Sequence, residues 1–320
     1  MAGDGEFDFI QKRLLPLTER DPAALGLADD AAILQPGPGQ DTVLACDSLV
    51  AGVHFLASDP PAVVAARVLR TNLSDLAAMG ARPRAYLAAI VWPETLDADW
   101  REAFVQALHR EQSRFGLTLI GGDTTSTPGP LTVSLTLVGQ VATGTAIRRS
   151  GASPGDDVWV SGVIGDGVLG LFSARNGARA LSDALSRYQS PEPRLALGQD
   201  LRGLASAAID VSDGLLADAG HLASASRCRL ALDVDAVPVS QTATAWLSSG
   251  GDLEALLTGG DDYELLFTAP ADCRDRVAAL GEAAELTLTR IGSVRRGEGV
   301  QARHRDGRLM QPLRAGFTHF

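Results

Sequence analysis

The sequence predicts an α/β protein with two domains, and three observations support this. Strand-like apolar runs alternate with helix-like segments along both halves of the chain, which is typical of α/β folds. The 320 residues are long for one hydrophobic core, so two domains of roughly 150 residues are expected. The segment TGTAIRRSGASPGDD (143–157), rich in small and turn residues, separates two strand-like runs. We therefore expect α/β domains at 1–145 and 146–320.

The N-terminal domain is predicted to be a mixed sheet flanked by helices. A short amphipathic helix is expected in EFDFIQKRLLPL (6–17). Two longer helices are expected at 61–80, ending at Gly80 before a proline, and at 97–116. Strands are expected in ADDAAIL (28–34), DTVLACD (41–47), RAYLAAIVW (84–92), LTLIGGD (117–123) and LTVSLTLVGQVA (131–142).

The C-terminal domain repeats the alternation. Strands are expected in DVWVSG (157–162), AAID (207–210), YELLFTA (263–269), LTLTRIGSV (286–294) and GVQARH (299–304). Helices are expected through 192–207 and after DVSDG (210–214). The glycine-rich GVIGDGVLG (162–170) only loosely resembles a phosphate-binding loop, and a tight turn into a helix is the preferred interpretation.

Composition and charge exclude several classes of function. A net charge of −11 and a pI near 4.9 argue against nucleic acid or an anionic membrane as the main partner. Lys12 is the only lysine, which excludes a Gly-Lys-Ser/Thr phosphate loop. No apolar run reaches the roughly 20 residues that span a bilayer, and the first residues lack a secretory pattern, so the cytoplasm is the expected compartment. The three cysteines suit neither a disulfide framework nor a zinc site.

One carboxylate falls on the apolar stripe of the predicted helix 61–80. Helical spacing from Val64 reaches Asp75, while Arg67 and Arg70 fall on the opposite side. A carboxylate removed from water requires a cation or strong hydrogen-bond donors, because unpaired burial costs several kcal/mol. A helix-end cap, a buried Asp–Arg pair and a metal ligand all satisfy that requirement.

Other aspartates close apolar runs along the chain. Each alone is explained by a turn or a helix cap. Strand ends of an open α/β sheet gather at one edge, so together these carboxylates are expected to converge there and hold divalent cations. Oxygen ligands without paired His or Cys favour magnesium, manganese or calcium over zinc. The residues are Asp29, Asp30, Asp47, Asp123, Asp210 and Asp213.

An ordered set of motifs resembles the thiamine-monophosphate kinase family of the aminoimidazole ribonucleotide synthetase-like superfamily. The motifs are NLSDLAAMGA, GGDTT, RSGASPGD, DVSDGL, GGDDYEL and the terminal GFTHF, and VAGVHF also points to the kinase branch. The resemblance implies two α/β domains of the synthetase-like type and a homodimer formed mainly through the N-terminal sheets. It also implies transfer of the ATP γ-phosphoryl group to thiamine monophosphate with Mg²⁺.

The resemblance also assigns roles to individual residues. The implied magnesium ligands are Asp30, Cys46, Asp47, Asp75, Asp123, Asp210 and Asp213, and Cys46 would serve through its backbone carbonyl. The implied ATP contacts are Gly122, Asp123, Arg149 and Ser212. The implied contacts to the thiamine substrate are His54, Asp261 and Phe317. No protein nucleophile is implied.

The sequence departs from the family pattern at four positions. Ala45 and Cys46 stand where hydroxyl residues are usual, Ala28 replaces a glycine, and Asp261 is shorter than the usual glutamate. Two alternatives therefore stay open at this stage. One is a related ATP-dependent synthetase with another acceptor, and the other is a Mg-nucleotide-binding partner protein without turnover.

Overall fold

The chain forms two compact units. The computed structural model describes residues 6–28, 31–178, 181–312 and 316–317. Unit 1 comprises Met1–Leu76 and Ala81–Gly144, and unit 2 comprises Ala77–Gly80 and Thr145–Phe320. Within the described residues, no helix is both long enough and apolar enough to cross a membrane.

Unit 1 contains a four-stranded mixed sheet with the strand order β1-β4-β2-β3. Its strands are β1 (Gln40–Val50), β2 (Arg82–Pro93), β3 (Thr118–Thr127) and β4 (Thr132–Ala142). Its helices are α1 (Glu6–Phe9), α2 (Pro61–Ala78) and α3 (Ala98–Phe115). Strands β2 and β3 are parallel, whereas β4 runs antiparallel to both β1 and β2. Helix α2 packs on one face, where Leu76 contacts Gly139 of β4 so closely that a Cβ at Gly139 would lie 3.0 Å from it.

Two of the predicted N-terminal elements differ from the structure. The described part of the expected strand 28–34 is not a strand, and Ile33 is 61% exposed. The prolines that follow, Pro36 and Pro38, lack the N–H groups that a strand ladder needs. The expected helix 6–17 is only the short α1, continued by a π-helical turn (Ile10–Leu14) and a 3-10 turn that holds Pro16.

Unit 2 contains a six-stranded sheet with the order β10-β7-β9-β5-β8-β6. Its strands are β5 (Asp157–Ser161), β6 (Ala207–Asp210), β7 (Arg229–Asp233), β8 (Leu265–Ala269), β9 (Leu288–Arg295) and β10 (Gly299–Arg303). Its helices are α4 (Asp166–Asn176), α5 (Ser182–Gln189), α6 (Leu195–Asp200), α7 (Leu215–Ser226), α8 (Gln241–Ser248), α9 (Leu253–Thr258) and α10 (Arg274–Ala283). Only the β7–β10 pair is parallel among these described strands.

Two of the hydrophobic clusters in the described part of unit 2 include residues of its sheet. Apolar residues of α7 pack against β5, β6, β7 and β9 on one face of the sheet. Residues of α6 and α10 pack with Trp159 and Phe267 in a second cluster. The predicted helix 192–207 is wrong in length, because α6 ends at Asp200 and Gly203 adopts a left-handed conformation (φ 70°) that interrupts helical structure.

Candidate active site

Two loops of unit 2 lie side by side at one end of the sheet. Strand β6 ends at Asp210, which pairs with Leu265, the first residue of antiparallel β8. The loop after β6 and the loop before β8 therefore meet at the same sheet end. Their backbones are hydrogen-bonded, Asp261 N to Ser212 O at 2.9 Å and Tyr263 N to Val211 O at 2.8 Å.

The C-terminal segment joins the same loops. The amide of Phe317 donates to the carbonyl of Asp213 at 2.9 Å, and the Phe317 side chain is 48% exposed. Ser212, Asp213, Asp261 and Phe317, which the sequence assigned to metal, nucleotide and substrate, are thus assembled at one place in unit 2. Asp210, 4% exposed, ends the strand that enters this loop.

A residue that the sequence analysis did not select fixes the loop after β6. One carboxylate oxygen of Asp218, in the first turn of α7, accepts the amides of Ser212 (3.1 Å), Asp213 (3.1 Å) and Gly214 (3.2 Å). Asp218 is 2% exposed, and burial, followed by the negative charges of Asp210 and Asp213, raises its pKa to about 8. An acidic residue one turn into a helix was the only sequence signal for this role.

Asp213 and Asp218 also lie near His221. One ligand atom from each of these three side chains lies within 4.8 Å of the others. The group is richer in oxygen than in nitrogen, as a Mg²⁺ site requires. Of the two carboxylates, Asp213 is partly exposed and Asp218 is buried. One oxygen of Asp218 already accepts three amides.

The glycine-rich turn binds a carboxylate of the protein itself. Gly165 N lies 2.9 and 3.0 Å from the two oxygens of Asp262, and Gly167 N donates to one of them at 3.0 Å. Helix α4 begins at Asp166 with Gly165 as its left-handed N-cap, as the tight-turn interpretation predicted. These amides are therefore occupied by Asp262, which is 5% exposed.

Glu264 is also a structural residue. It is fully buried and accepts hydrogen bonds from Ser161 Oγ (2.6 Å), from Arg187 Nη2 (2.6 Å) and from Arg194. Of the acidic residues in GGDDYEL, only Asp261 has a partly exposed side chain. Its backbone is left-handed (φ 65°), and Tyr263 Oη donates to its carboxylate at 3.0 Å.

Arg149 lies away from the loop after β6. Its carbonyl accepts from Ser226 Oγ at 2.9 Å, and Ser226 is the last residue of α7. Ser212 precedes the first residue of that helix. Twelve helical residues correspond to about 18 Å, so the backbones of Arg149 and Ser212, two of the residues assigned to ATP, lie near opposite ends of α7.

In unit 1, Asp75 is a partly exposed residue within the buried part of helix α2. Every residue from Val64 to Ala78 is buried except Asp75, which is partly exposed. The amide of Asp47 donates to Asn72 Oδ1 at 3.1 Å, and Asn72 lies one turn before Asp75 on α2. The structure thus brings Asp47 and Asp75 to the same part of unit 1.

The arginines of α2 have partners of their own. Arg67, 1% exposed, donates through Nε (3.2 Å) and Nη2 (3.0 Å) to the carbonyl of His54. Arg70 binds Glu111 through two hydrogen bonds of 2.7 and 3.1 Å. The His54 ring is fixed as well, because its Nδ1 accepts the amide of Val50 at 3.0 Å, which leaves Nε2 as the protonated nitrogen of the neutral ring.

Asp47 and Asp123 do not lie at a common sheet edge. Both are inside strands, on β1 and β3, which are the two opposite edges of the sheet. Across the four strands, Asp47 lies in the same row of paired residues as Gly122. Asp123 lies in the neighbouring row, with Ala89 and Ser134. Three strand spacings amount to about 14 Å, and adjacent rows face opposite sides of the sheet. The expectation that strand ends gather these two is wrong within one chain, because β4 and β2 lie between them.

The remaining N-terminal residues are placed as follows. Gly122 has φ 153°, and a Cβ there would lie 1.9 Å from the carbonyl oxygen of Ala88. Cys46 is exposed, and its Sγ accepts from Thr136 Oγ1 at 3.4 Å. Asp29 and Asp30 lie outside the described residues.

Comparison with known proteins identifies the family. Residues 28–141 match the N-terminal domain, and residues 153–305 the C-terminal domain, of the family described as AIR synthase related protein. The thiamine-monophosphate kinase of Caulobacter vibrioides is 45% identical over 319 residues, which are 98% of this chain and 90% of that protein. The chain belongs to the thiamine-monophosphate kinase family.

Solved structures of this family share the fold. A thiamine-monophosphate kinase from Stenotrophomonas maltophilia has a TM-score of 0.84 at 42% identity, covering 94% of this chain and 96% of that one. AaThiL complexed with AMPPCP and TMP has a TM-score of 0.78 at 30% identity, covering 99% and 97%. The predicted family, the two-domain α/β fold and the kinase class of enzyme are confirmed.

For this member of the kinase family, Asp218 is expected to matter through its acceptor oxygen. Asp218→Ala leaves the amides of Ser212, Asp213 and Gly214 without this acceptor and is expected to lower the free energy of unfolding by about 2–4 kcal/mol. Asp218→Asn retains an oxygen and is expected to lose less than half as much. Urea unfolding of wild type and both variants measures this. If Asp218→Ala were as stable as wild type, the three hydrogen bonds would contribute nothing to stability.

Asp262 is expected to make stability depend on pH. Burial raises its pKa from the ordinary value of 3.8 to about 8, the amides of Gly167 and Gly165 oppose this, and the charges of Glu264 and Asp166 add to it. The folded chain therefore holds a proton that the unfolded chain releases, so stability falls as the pH rises from about 4 to about 8 and levels off above that.

Asp262→Asn removes this titration and keeps an oxygen for the two amides. Between pH 5 and 8, the free energy of unfolding is expected to fall more steeply for wild type than for Asp262→Asn. The two slopes are expected to differ by up to about 1.4 kcal/mol per pH unit. The measurement is urea unfolding at several pH values, with the exposed Asp200→Asn as the matched control. Parallel profiles of wild type and Asp262→Asn would contradict the shifted pKa.

Proposed function

We propose that this protein transfers the γ-phosphoryl group of ATP to thiamine monophosphate, giving thiamine diphosphate and ADP. The observation that carries the proposal is the assembly of Ser212, Asp213, Asp261 and Phe317 by backbone hydrogen bonds. Relatives named thiamine-monophosphate kinase align over nearly the whole chain, and the related AaThiL binds AMPPCP and TMP. Because ATP is the donor, the cytoplasm is the proposed compartment.

The oxygen atoms of the proposed metal ligands fit Mg²⁺. In unit 1 the proposed ligands are Asp30, Asp47, Asp75 and Asp123, with the Cys46 carbonyl, and in unit 2 they are Asp210 and Asp213. Asp75 supports this assignment because it is the one accessible position on a helix that is otherwise buried from Val64 to Ala78. Carboxylate oxygens suit a hard divalent cation. When bound, Mg²⁺ neutralises charge on the transferring phosphates.

The protein's own groups position the two substrates. We assign the nucleotide to Gly122, Asp123, Arg149 and Ser212, and the thiamine substrate to His54, Asp261 and Phe317. The exposed ring of Phe317 offers an apolar surface, and the fixed His54 ring offers one nitrogen donor. A phosphate oxygen of the acceptor is already ionised at neutral pH, so we propose direct in-line transfer without a phosphoenzyme.

We further propose a homodimer through the sheet face of unit 1 opposite α2. That face carries Leu44 (66% exposed), Cys46 and Asp123 in edge-strand positions. Burial of the exposed Leu44 side chain in such a dimer would be favourable. Since Asp47 and Asp123 of one chain lie about 14 Å apart on opposite faces, they can ligate the same ion only if a second copy supplies one of them.

A coupled ADP-release assay tests the function. With ATP, Mg²⁺ and thiamine monophosphate, ADP and thiamine diphosphate are expected in equal amounts, whereas free thiamine is the control acceptor and is expected to give neither. ADP formed only with a different acceptor would identify a synthetase of the same superfamily. Nucleotide binding without any ADP would identify a partner protein without turnover.

A further inference from the structure

Unit 2 contains a cleft of about 520 Å³ that is rich in positive charge. Five arginines line it, together with His304, and we call it the arginine cleft. The arginines are Arg274, Arg290, Arg295, Arg303 and Arg305. Only two aspartates, Asp157 and Asp233, line it with them, which leaves a formal net charge of +3 on the arginines and aspartates of the lining. The whole protein has a net charge of −11, so the cleft is a positively charged region of a negatively charged protein.

The floor of the cleft is the sheet face opposite α7. Leu230, Leu232 and Val294 pack into the α7 side of the sheet, and alternate residues point the other way. One row on this other face runs across four strands through Gln301, Ala231, Ser293 and Asp157. The small side chains of Ala231 and Ser293 leave room over the strands, and the arginines surround that space.

Buried Asp157 orients two of the arginines. Its side chain is 3% exposed and accepts from Arg274 Nε (2.5 Å) and Nη2 (2.9 Å) and from Arg290 Nη1 (3.2 Å). The hydrogen bonds from Arg274, and then those from Arg290, hold the pKa of Asp157 below its usual range. Asp157 therefore stays charged and fixes two guanidinium groups at the cleft.

The other arginines of the cleft are less closely paired with carboxylates. Arg305 lies 3.6 Å from Asp233, and Arg303 donates to the carbonyl of Gly307 at 3.3 Å. Among the described residues, neither Arg295 nor Arg303 forms an ion pair. Asp235 beside the cleft fixes the turn instead, because it contacts His304 Nδ1 (2.8 Å) and accepts the amide of Arg305 (2.9 Å).

The cleft lies at the other end of the sheet from the loop after β6. Asp157 pairs with Ala269, the last residue of β8, whereas Asp210 pairs with Leu265, the first. Strand β8 has five residues, so about 13 Å of strand separates the two ends. The residues assigned to ATP and thiamine monophosphate are not among those that line the cleft.

We propose that the arginine cleft is a second ligand site, which binds an organic molecule bearing two or more phosphate groups without Mg²⁺. Guanidinium groups form paired hydrogen bonds with phosphate oxygens, and a concave site concentrates their field. Inorganic phosphate is small for 520 Å³, whereas this volume lies in the range of sites for nucleotide-sized molecules. The site is independent of the proposed catalytic function, because its lining residues take no part in it.

Titration calorimetry with inorganic tripolyphosphate in EDTA tests the site. Without divalent ions the acidic ligand set repels this probe, so binding of one tripolyphosphate per chain is expected from the cleft alone. The double variant Arg295→Gln/Arg303→Gln is expected to weaken binding by about tenfold or more. The matched control, Arg110→Gln/Arg175→Gln, removes the same charge at exposed positions outside the cleft and is expected to bind as wild type does.

Two results would overturn the proposal: no binding of tripolyphosphate in EDTA, or equal losses of affinity in the double variant and its control. Circular dichroism checks that the double variant is folded. If it is not, the single variants Arg295→Gln and Arg303→Gln are each expected to weaken binding about threefold, and unchanged affinity in both would also reject the site. Activity of the double variant with ATP, Mg²⁺ and thiamine monophosphate is expected to match that of wild type without tripolyphosphate.

Discussion

Asp75→Asn is expected to lower kcat by about three orders of magnitude or more while leaving the chain folded. The amide keeps the shape of the side chain but removes the charge that a divalent cation requires. Loss of charge stabilisation during phosphoryl transfer costs several kcal/mol, and 1.4 kcal/mol is about tenfold in rate. Because Asp75 is partly exposed on α2, the free energy of unfolding is expected to change by less than about 1 kcal/mol.

Rates measured over a range of Mg²⁺ concentrations separate a metal ligand from a purely structural residue. Asp200→Asn is the matched control, since Asp200 is an exposed carboxylate at the end of α6. It is expected to retain wild-type kcat and the same Mg²⁺ dependence. Near-normal turnover of Asp75→Asn at saturating Mg²⁺ would reject Asp75 as a ligand.

Gly122→Ala is expected to destabilise unit 1 by about 3 kcal/mol or more. A Cβ at this position would lie 1.9 Å from Ala88 O and 2.7 Å from Ala88 C, which are backbone atoms of the neighbouring strand and cannot turn away. The strand pair must separate locally, and the hydrogen bonds between β2 and β3 weaken with it. Thermal and urea unfolding measure the loss.

Gly220→Ala provides a control with the opposite sign. Gly220 lies inside α7, where a new Cβ meets no atom within 4 Å. Alanine is favoured over glycine in helices, so this variant is expected to gain up to about 1 kcal/mol. If Gly122→Ala were as stable as Gly220→Ala, the close approach at Ala88 would not constrain residue 122.

Local patterns predicted the elements that carry the site. The helix around Asp75, the strand ending at Asp210 and the helix after DVSDG all follow from periodicity and turn residues within one segment. Strand β7 was missed because its five residues, RLALD, hold only three apolar residues between two charged ones, too short a run to indicate a strand between a helix and a turn. Short segments of this kind depend on their neighbours for strand formation.

Long-range relations were not accessible in the same way. No local pattern shows that β4 and β2 separate β1 from β3, and this pairing order places Asp47 and Asp123 at opposite edges. The role of Asp262 was likewise hidden, because its carboxylate accepts the amides of Gly165 and Gly167, which only the folded chain brings near. In contrast, the motif order indicated Asp261 and Phe317 as substrate contacts, and the structure places both beside the loop after β6.

The three amides held by Asp218 mean that the DVSDG turn is preorganised before any ligand arrives. Fixing a residue's backbone costs about 1–2 kcal/mol of conformational entropy, and for Ser212, Asp213 and Gly214 this cost falls on folding. An incoming ligand then meets a rigid receptor and loses none of its affinity to ordering that turn.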